Sequence, residues 1–131
     1  MKVTWSWLGD WTSLPESPEA LAHRLAMLGF PVQSLVRGVT FDPGIVVGEV
    51  LEAKQHPNAD RLRLCRVNVG AGDPLQIVCG APNVAAGQRV AVAQVGSSLP
   101  DGMKLKRAKI RGVESMGMIC SQRELGLSDE A

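Results

Sequence analysis

The chain has 131 residues, 45% of them apolar and 21% charged, which suits one hydrophobic core or a core with an appendage and excludes intrinsic disorder. No apolar run approaches the roughly 20 residues of a membrane span, the first residues lack the build of a signal peptide, and Cys65, Cys79 and Cys120 form no CxxC pair, which argues against a zinc site or a disulfide framework. With 14 Lys and Arg against 13 Asp and Glu, a net charge of +1, no global field names a polyanionic partner, and local charge has to decide.

Trp5, Trp7, Trp11, Phe30 and Phe41 are all the aromatic side chains of the Phe, Tyr and Trp type, and none lies beyond position 41. In this first stretch Ser17 is a helix cap, Pro18 and Glu19 suit the first turn, and Leu21, Leu25 and Leu28 recur at i, i+4 and i+7. The pattern predicts a helix over about 18–28, ended by Gly29, with its leucine stripe against Trp7, Leu8 and Trp11 of a shorter upstream turn or helix. Forty residues cannot enclose a core. The segment therefore leans on the rest of the chain or on a surface outside it, and the tryptophans suit an interface as well as an internal core. The boundary is expected near 38–44, giving a helical segment over 1–40 and a second domain over 41–131.

Eleven of the fourteen glycines fall in that second part, among repeated Val and Ile, as in short strands joined by tight turns. Strand-like runs span 45–53, 62–69, 75–79, 89–95 and 104–110, with a further extended piece near 118–121. Turn formers separate them at Pro57-Asn58, Gly70 to Pro74, Gly80 to Asn83 and Pro100 to Gly102. In the second run Leu62 and Leu64 share one face while Cys65, Val67 and Val69 share the other, and a bulge near Leu64-Cys65 would reconcile them. The expected fold is mainly β with a helical N-terminal segment, and five short strands suit a five-stranded OB-fold barrel, with an SH3-like barrel or a small sandwich as competitors.

The stretch Lys104-Leu-Lys106-Arg107-Ala-Lys109-Ile-Arg111 carries five cations with no acid between Gly102 and Val113, whereas the tail from Glu124 holds three acids and no base. On a strand these cations alternate between faces, so one groove could hold them all only through loop geometry. Two readings stand: a solvated surface, or a phosphate-tracking patch joined by Lys54, Arg61, Arg63 and Arg66. Pro57-Asn58-Ala59-Asp60 reads first as a turn whose Asn and Asp side chains satisfy local backbone donors, with RNA contact by Asn58 or Arg61 as an addition. Met118, Ile119 and Cys120 read as core fillers. No Walker-type phosphate loop, Ser-His-Asp set or metal cluster is present, so no catalytic residue, cofactor-binding residue or metal ligand is assigned.

Three ordered strings carry a resemblance. His56-Pro57-Asn58-Ala59-Asp60-Arg61-Leu62, then Gln76-Ile-Val-Cys79-Gly80-Ala-Pro82-Asn83-Val84, then Lys109-Ile-Arg111-Gly112-Val113-Glu114-Ser115-Met116-Gly117-Met118-Ile-Cys120-Ser121 with Glu124-Leu-Gly126-Leu127 behind it, closely resemble the tRNA-binding OB domain. That domain is shared by phenylalanyl-tRNA synthetase β chains, extensions of some methionyl-tRNA synthetases and free-standing tRNA-binding proteins. The opening Met1-Lys-Val-Thr-Trp5-Ser-Trp7-Leu8, with Leu14-Pro15 and Gly29-Phe30-Pro-Val32, resembles the start of the bacterial β chains.

The resemblance implies an N-terminal tRNA-binding and assembly region of a much longer, cytoplasmic enzyme subunit, itself inactive. Its partners would be tRNA and an α subunit in an α2β2 assembly, with neither membrane nor DNA. ATP and Mg would belong to the parent enzyme's attachment of phenylalanine to its tRNA, and not to this segment. The tRNA-contact candidates are Lys54, Asn58, Arg61, Arg63, Arg66, Lys104, Lys106, Arg107, Lys109 and Arg111. A free-standing tRNA-binding homodimer and an OB module used only for protein packing are the alternatives. With no aromatic platform beyond position 41, bases cannot stack on Phe, Tyr or Trp of the barrel, so binding would rest on phosphates and ribose hydroxyls.

Overall fold

Two hydroxyls start the helices of the first part. Thr4 Oγ1 accepts the Trp7 N–H at 3.2 Å and opens α1 (Trp5–Gly9), and Ser17 Oγ accepts the Ala20 N–H at 3.2 Å and opens α2 (Pro18–Met27). The chain leaves α2 through Gly29 N–H to Ala26 O at 3.1 Å and Phe30 N–H to Leu25 O at 2.8 Å, the paired closure that satisfies terminal carbonyls. Neither helix holds a buried residue. Leu21 and Leu25 are half-buried, but Leu28, expected on the same buried stripe, is 72% exposed because the chain turns away immediately after it. Trp5 is half-buried, while Trp7 and Trp11 are 53% and 79% exposed.

The structure, a computed structural model, describes residues 1–128; residues 129–131, which include Asp129 and Glu130 of the acidic tail and the end of the expected 41–131 domain, lie outside the described residues. The chain divides into two units, Met1–Gly38 and Val39–Ala131. In the second, β1 (Ile45–His56), β2 (Ala59–Asn68), β3 (Leu75–Cys79), β4 (Arg89–Gln94) and β7 (Gly117–Cys120) form an antiparallel sheet in the order β3-β2-β1-β4-β7. β5 (Ala108–Ile110) and β6 (Val113–Ser115) form a separate hairpin.

The sheet nearly closes between β3 and β7. Met116 N–H donates to Gln76 O at 2.8 Å, the Gln76 amide donates to Glu114 O at 2.9 Å, and the buried Ser115 hydroxyl accepts the Val78 N–H at 3.1 Å while donating to Gly117 O at 2.9 Å. These bonds give the outer β3 edge partners it would lack in an open sheet. The result is a five-stranded OB-fold barrel.

Val50, Cys65, Val67, Ile77, Cys79, Val84 and Val92 fill the interior, with Ile119 packed against them. Burial pushes the Cys65 thiol up to about 11, so at neutral pH it is a protonated, inert filler. All three thiols are free.

Two local expectations change. The run 104–110 is not the fifth barrel strand: Leu105 gives its N–H to Ser97 O and accepts from Gly96 N–H, each at 2.8 Å, so its backbone is engaged in a loop and only 108–110 is strand. The piece near 118–121 takes the fifth place instead, as β7 beside β4. The bulge also lies elsewhere. Val50 pairs with Val67 and Glu52 with Arg66, so Leu51 is the extra residue and it is β1 that bulges, while β2 keeps an unbroken register with β3 from Arg63 to Val67. β1 must serve both β4 and β2, and the inserted residue lets it bend from one partner to the other. Leu62 and Leu64 are half-buried on the other face of β2, and a second register shift lies beside Leu62: Gln55 pairs with Arg63 but His56 with Ala59, so Asp60 to Leu62 have no partner on β1.

Gly48 lies where β1 crosses the barrel interior, and a Cβ there would stand 2.7 Å from Val67 Cγ1 and 2.8 Å from Val92 Cγ2. Only a residue without a side chain fits between two core valines. Gly48→Ala is expected to destabilise the fold by about 1–3 kcal/mol, read from denaturant midpoints at constant m value; an unchanged midpoint would mean that the valines have room to move aside.

Asp42 ties the long loop to the start of β1. One carboxylate oxygen accepts Gly44 N–H at 2.8 Å and the other accepts Ser98 N–H at 3.1 Å. These two bonds, with the Lys104 ammonium adding to them, hold the carboxyl below its ordinary value of 3.8. A depressed folded-state value stabilises above the unfolded one and is lost as pH falls through it. Asp42→Asn should therefore be less stable than the parent at neutral pH, with the gap closing only below about pH 4. A gap independent of pH down to acid unfolding would remove the carboxylate's charge from the account.

Candidate nucleic-acid interface

The barrel's two tight turns meet at one end. β1 ends in His56, which is 2% exposed and fully hydrogen-bonded. Its Nδ1 accepts the Asn58 N–H at 3.0 Å, which leaves the other nitrogen, Nε2, to donate to Ile110 O at 3.1 Å. Asn58 then donates its side-chain amide to Arg111 O at 3.1 Å. Ile110 and Val113 pair across a two-residue turn in which Arg111 has φ 50° and Gly112 φ 86°. Two consecutive positive φ values define the hairpin turn whose twist matches its strands, and glycine is the natural second residue. Arg111 takes the first place at a cost, since a non-glycine residue is held in the left-handed region.

The Pro57-Asn58-Ala59-Asp60 turn is thus structural, but by other means than expected. The His56 ring, not an Asn or Asp side chain, satisfies the local Asn58 N–H, and the Gln55 amide donates to Ala59 O at 2.9 Å and Asp60 O at 2.8 Å. Asn58 reaches instead to a residue more than fifty positions away. Sequence reasoning missed the role of His56, although a histidine followed by Pro-Asn at a strand end is the signal that marks it.

The ten candidate residues do not form one stripe. Asn58, Arg61, Lys109 and Arg111 belong to the joined turns or lie within three residues of them along their strands. Lys104 sits by Asp42, ahead of the opposite end of β1. The twelve residues of β1 separate these ends by up to roughly 37 Å along an extended strand. Lys54, Arg63 and Arg66 lie on β1 and β2 between them.

All nine cations are exposed, but they are not equally free. Lys54 Nζ lies 2.9 Å from Glu52 and Arg107 Nε 3.4 Å from Glu114. Lys54 first, and Arg66 to a smaller extent, hold the Glu52 carboxyl below its ordinary value. Among the described residues, Arg61, Arg63, Arg66, Lys104, Lys106, Lys109 and Arg111 make no ion pair, although Lys109 stands across the hairpin from Glu114. Unpaired exposed cations keep their full charge for an outside anion, whereas an existing surface pair has to be given up first. The described residues bring together no metal-ligand group of three or more His, Cys, Asp or Glu.

Comparison with known proteins gives the family. Residues 45–131 match the family model described as "Putative tRNA binding domain". The chain is 52% identical over 130 residues to the phenylalanine–tRNA ligase beta subunit of Aromatoleum aromaticum and 49% identical over 130 residues to that of Nitratidesulfovibrio vulgaris, in each case over 99% of this chain. It is likewise 52% identical over 131 residues to the beta subunit of Trichormus variabilis. The chain spans 16% of the length of each of these relatives. The matched residues include the whole barrel, both joined turns and every candidate contact, and the chain accordingly belongs to the tRNA-binding domain family, in the form that bacterial phenylalanine–tRNA ligase beta subunits carry.

Proposed function

We propose that this chain serves as the tRNA-binding and assembly region of a phenylalanine–tRNA ligase β subunit. The observation that carries the reading is the half-identity to such subunits over 99% of the chain, through the Trp-rich preface as well as the barrel. The free-standing homodimer reading has no use for that preface. In this proposal residues 1–40 form an incomplete domain whose exposed tryptophans are covered in the assembled enzyme, and residues 41–131 form the tRNA-binding domain. An α subunit in an α2β2 assembly, a cytoplasmic setting, and ATP and Mg in the parent's ligation reaction belong to the same proposal. The chain's own residues contribute binding, and no catalytic step is assigned to them.

The contacts proposed are the cations Lys54, Arg61, Arg63, Arg66, Lys104, Lys106, Arg107, Lys109 and Arg111, with Asn58 beside them. Phosphates are their partners, because the barrel offers no Phe, Tyr or Trp face for bases. Recognition would follow the shape of the tRNA backbone more than its sequence. With a net charge of +1, the chain alone binds weakly, and useful affinity comes from linkage to other RNA-binding parts of the enzyme.

Neutralising about three to five phosphates predicts a slope of log K against log salt of roughly −2 to −4, using about 0.7 per contact for single strands. Titration of the chain with fluorescent tRNA at several salt concentrations measures it, and unrelated tRNAs should give the same slope. Salt-independent binding, or a strong preference for the phenylalanine tRNA by this chain alone, would favour the packing-module reading.

A further inference from the structure

The joined turns carry an inference that rests on the RNA-binding reading and narrows it to one end of the barrel. We infer that the platform formed by the β1–β2 and β5–β6 turns, bearing Arg61, Lys109 and Arg111, is the principal RNA-phosphate site, and that His56 and Asn58 are positioning residues that hold Arg111 in its binding geometry.

Four observations converge on it. Arg61, Lys109 and Arg111 are exposed and free of ion pairs among the described residues, so their charge is available to an anion. The backbone that displays Arg111 is held from outside its own hairpin, by His56 Nε2 on Ile110 O and Asn58 Nδ2 on Arg111 O. His56 is buried at 2% exposure with both ring nitrogens used, which makes it a rigid post. Arg111 is also the only non-glycine residue with positive φ among the described residues, and such strain persists only where its surroundings impose it.

An arginine at the tip of a loose hairpin would lose backbone freedom on binding a phosphate, whereas one fixed beforehand loses less. Of the acids near these turns, Glu114 is held by Arg107 and stands across from Lys109, and Asp60 makes no ion pair among the described residues, so neither cancels all three cations. Lys104 and Lys106 lie on the loop bound to Asp42 instead.

The test uses the same tRNA titration. The triple variant R61A/K109A/R111A should flatten the salt slope by about two, at roughly 0.7 per lost phosphate, while K104A/K106A should change it by less than about half of that. Asn58→Ala leaves every charge in place yet should weaken binding roughly 3- to 10-fold, the size of one hydrogen bond's contribution. That effect should fall below about 2-fold when Asn58→Ala is made in the R111A background, since the two act through one contact. Backbone order parameters at Arg111 and Gly112 should drop in Asn58→Ala while the melting temperature stays within a few degrees of the parent. His56→Ala is the less informative variant, because removing a buried, doubly hydrogen-bonded side chain also costs folding stability, and the exposed Asn58 keeps the test clean.

Equal losses from Asn58→Ala in both backgrounds, or unchanged binding in Asn58→Ala, would overturn the positioning role while leaving the platform. A larger slope change in K104A/K106A than in the platform triple would overturn the platform while leaving RNA binding. Absence of salt-dependent tRNA binding by the parent chain would remove the RNA reading and this inference with it.

Discussion

Closure of β3 onto the segment before β7 is the constraint on which the rest of the second unit depends. A sheet ordered β3-β2-β1-β4-β7 has two free edges, and each unpaired N–H or C=O at a buried edge costs as much as a lost hydrogen bond. The Ser115 hydroxyl, the Gln76 amide and the Met116 N–H supply the missing partners. Once that seam is made, the interior valines, Ile77 and the two core cysteines are enclosed on all sides. The same seam sends the chain out as the β5–β6 hairpin just before it returns as β7, and that excursion carries Arg111 to the end of the barrel where His56 lies.

The closing seam and the proposed recognition surface therefore share one stretch of chain, but with different chemistry. The seam uses neutral groups, the buried Ser115 hydroxyl and the exposed Gln76 amide among them, whose loss would leave the Val78 N–H and the Glu114 carbonyl without these partners. The exterior uses charges that pair weakly or not at all, and that remain available because pairing across a solvated surface gains little. A cation already satisfied by Glu52 or Glu114 contributes less to an outside anion than one standing free. That difference sorts a basic sequence run into residues of unequal use.

The first unit follows the opposite logic. Its helices are well capped, so local signals suffice to form them, yet no residue of either helix is buried. Caps fix where a helix begins and ends, each worth about 1 kcal/mol, but they do not supply the apolar burial that holds a domain together. Trp7, Trp11 and Leu28 accordingly remain exposed.

The sequence by itself determined a good deal. The cap at Ser17 and the turn formers between apolar runs announced the helix and most of the strands, because these signals act between neighbours in the chain. The ordered motifs from His56 to Leu127 announced the family and the barrel. Which run would be the fifth strand, where the bulge would fall and how five cations would be distributed were decided only by the tertiary structure. They depend on pairings that no local pattern announces: Leu105 to Ser97, Met116 to Gln76, the β1–β2 ladder on either side of Leu51, His56 to Ile110 and Asn58 to Arg111. Alternation along a strand tells which side chains share a face. It does not tell which backbone carbonyl a buried histidine will find 54 positions further along the chain, because only closure of the barrel brings the two turns together.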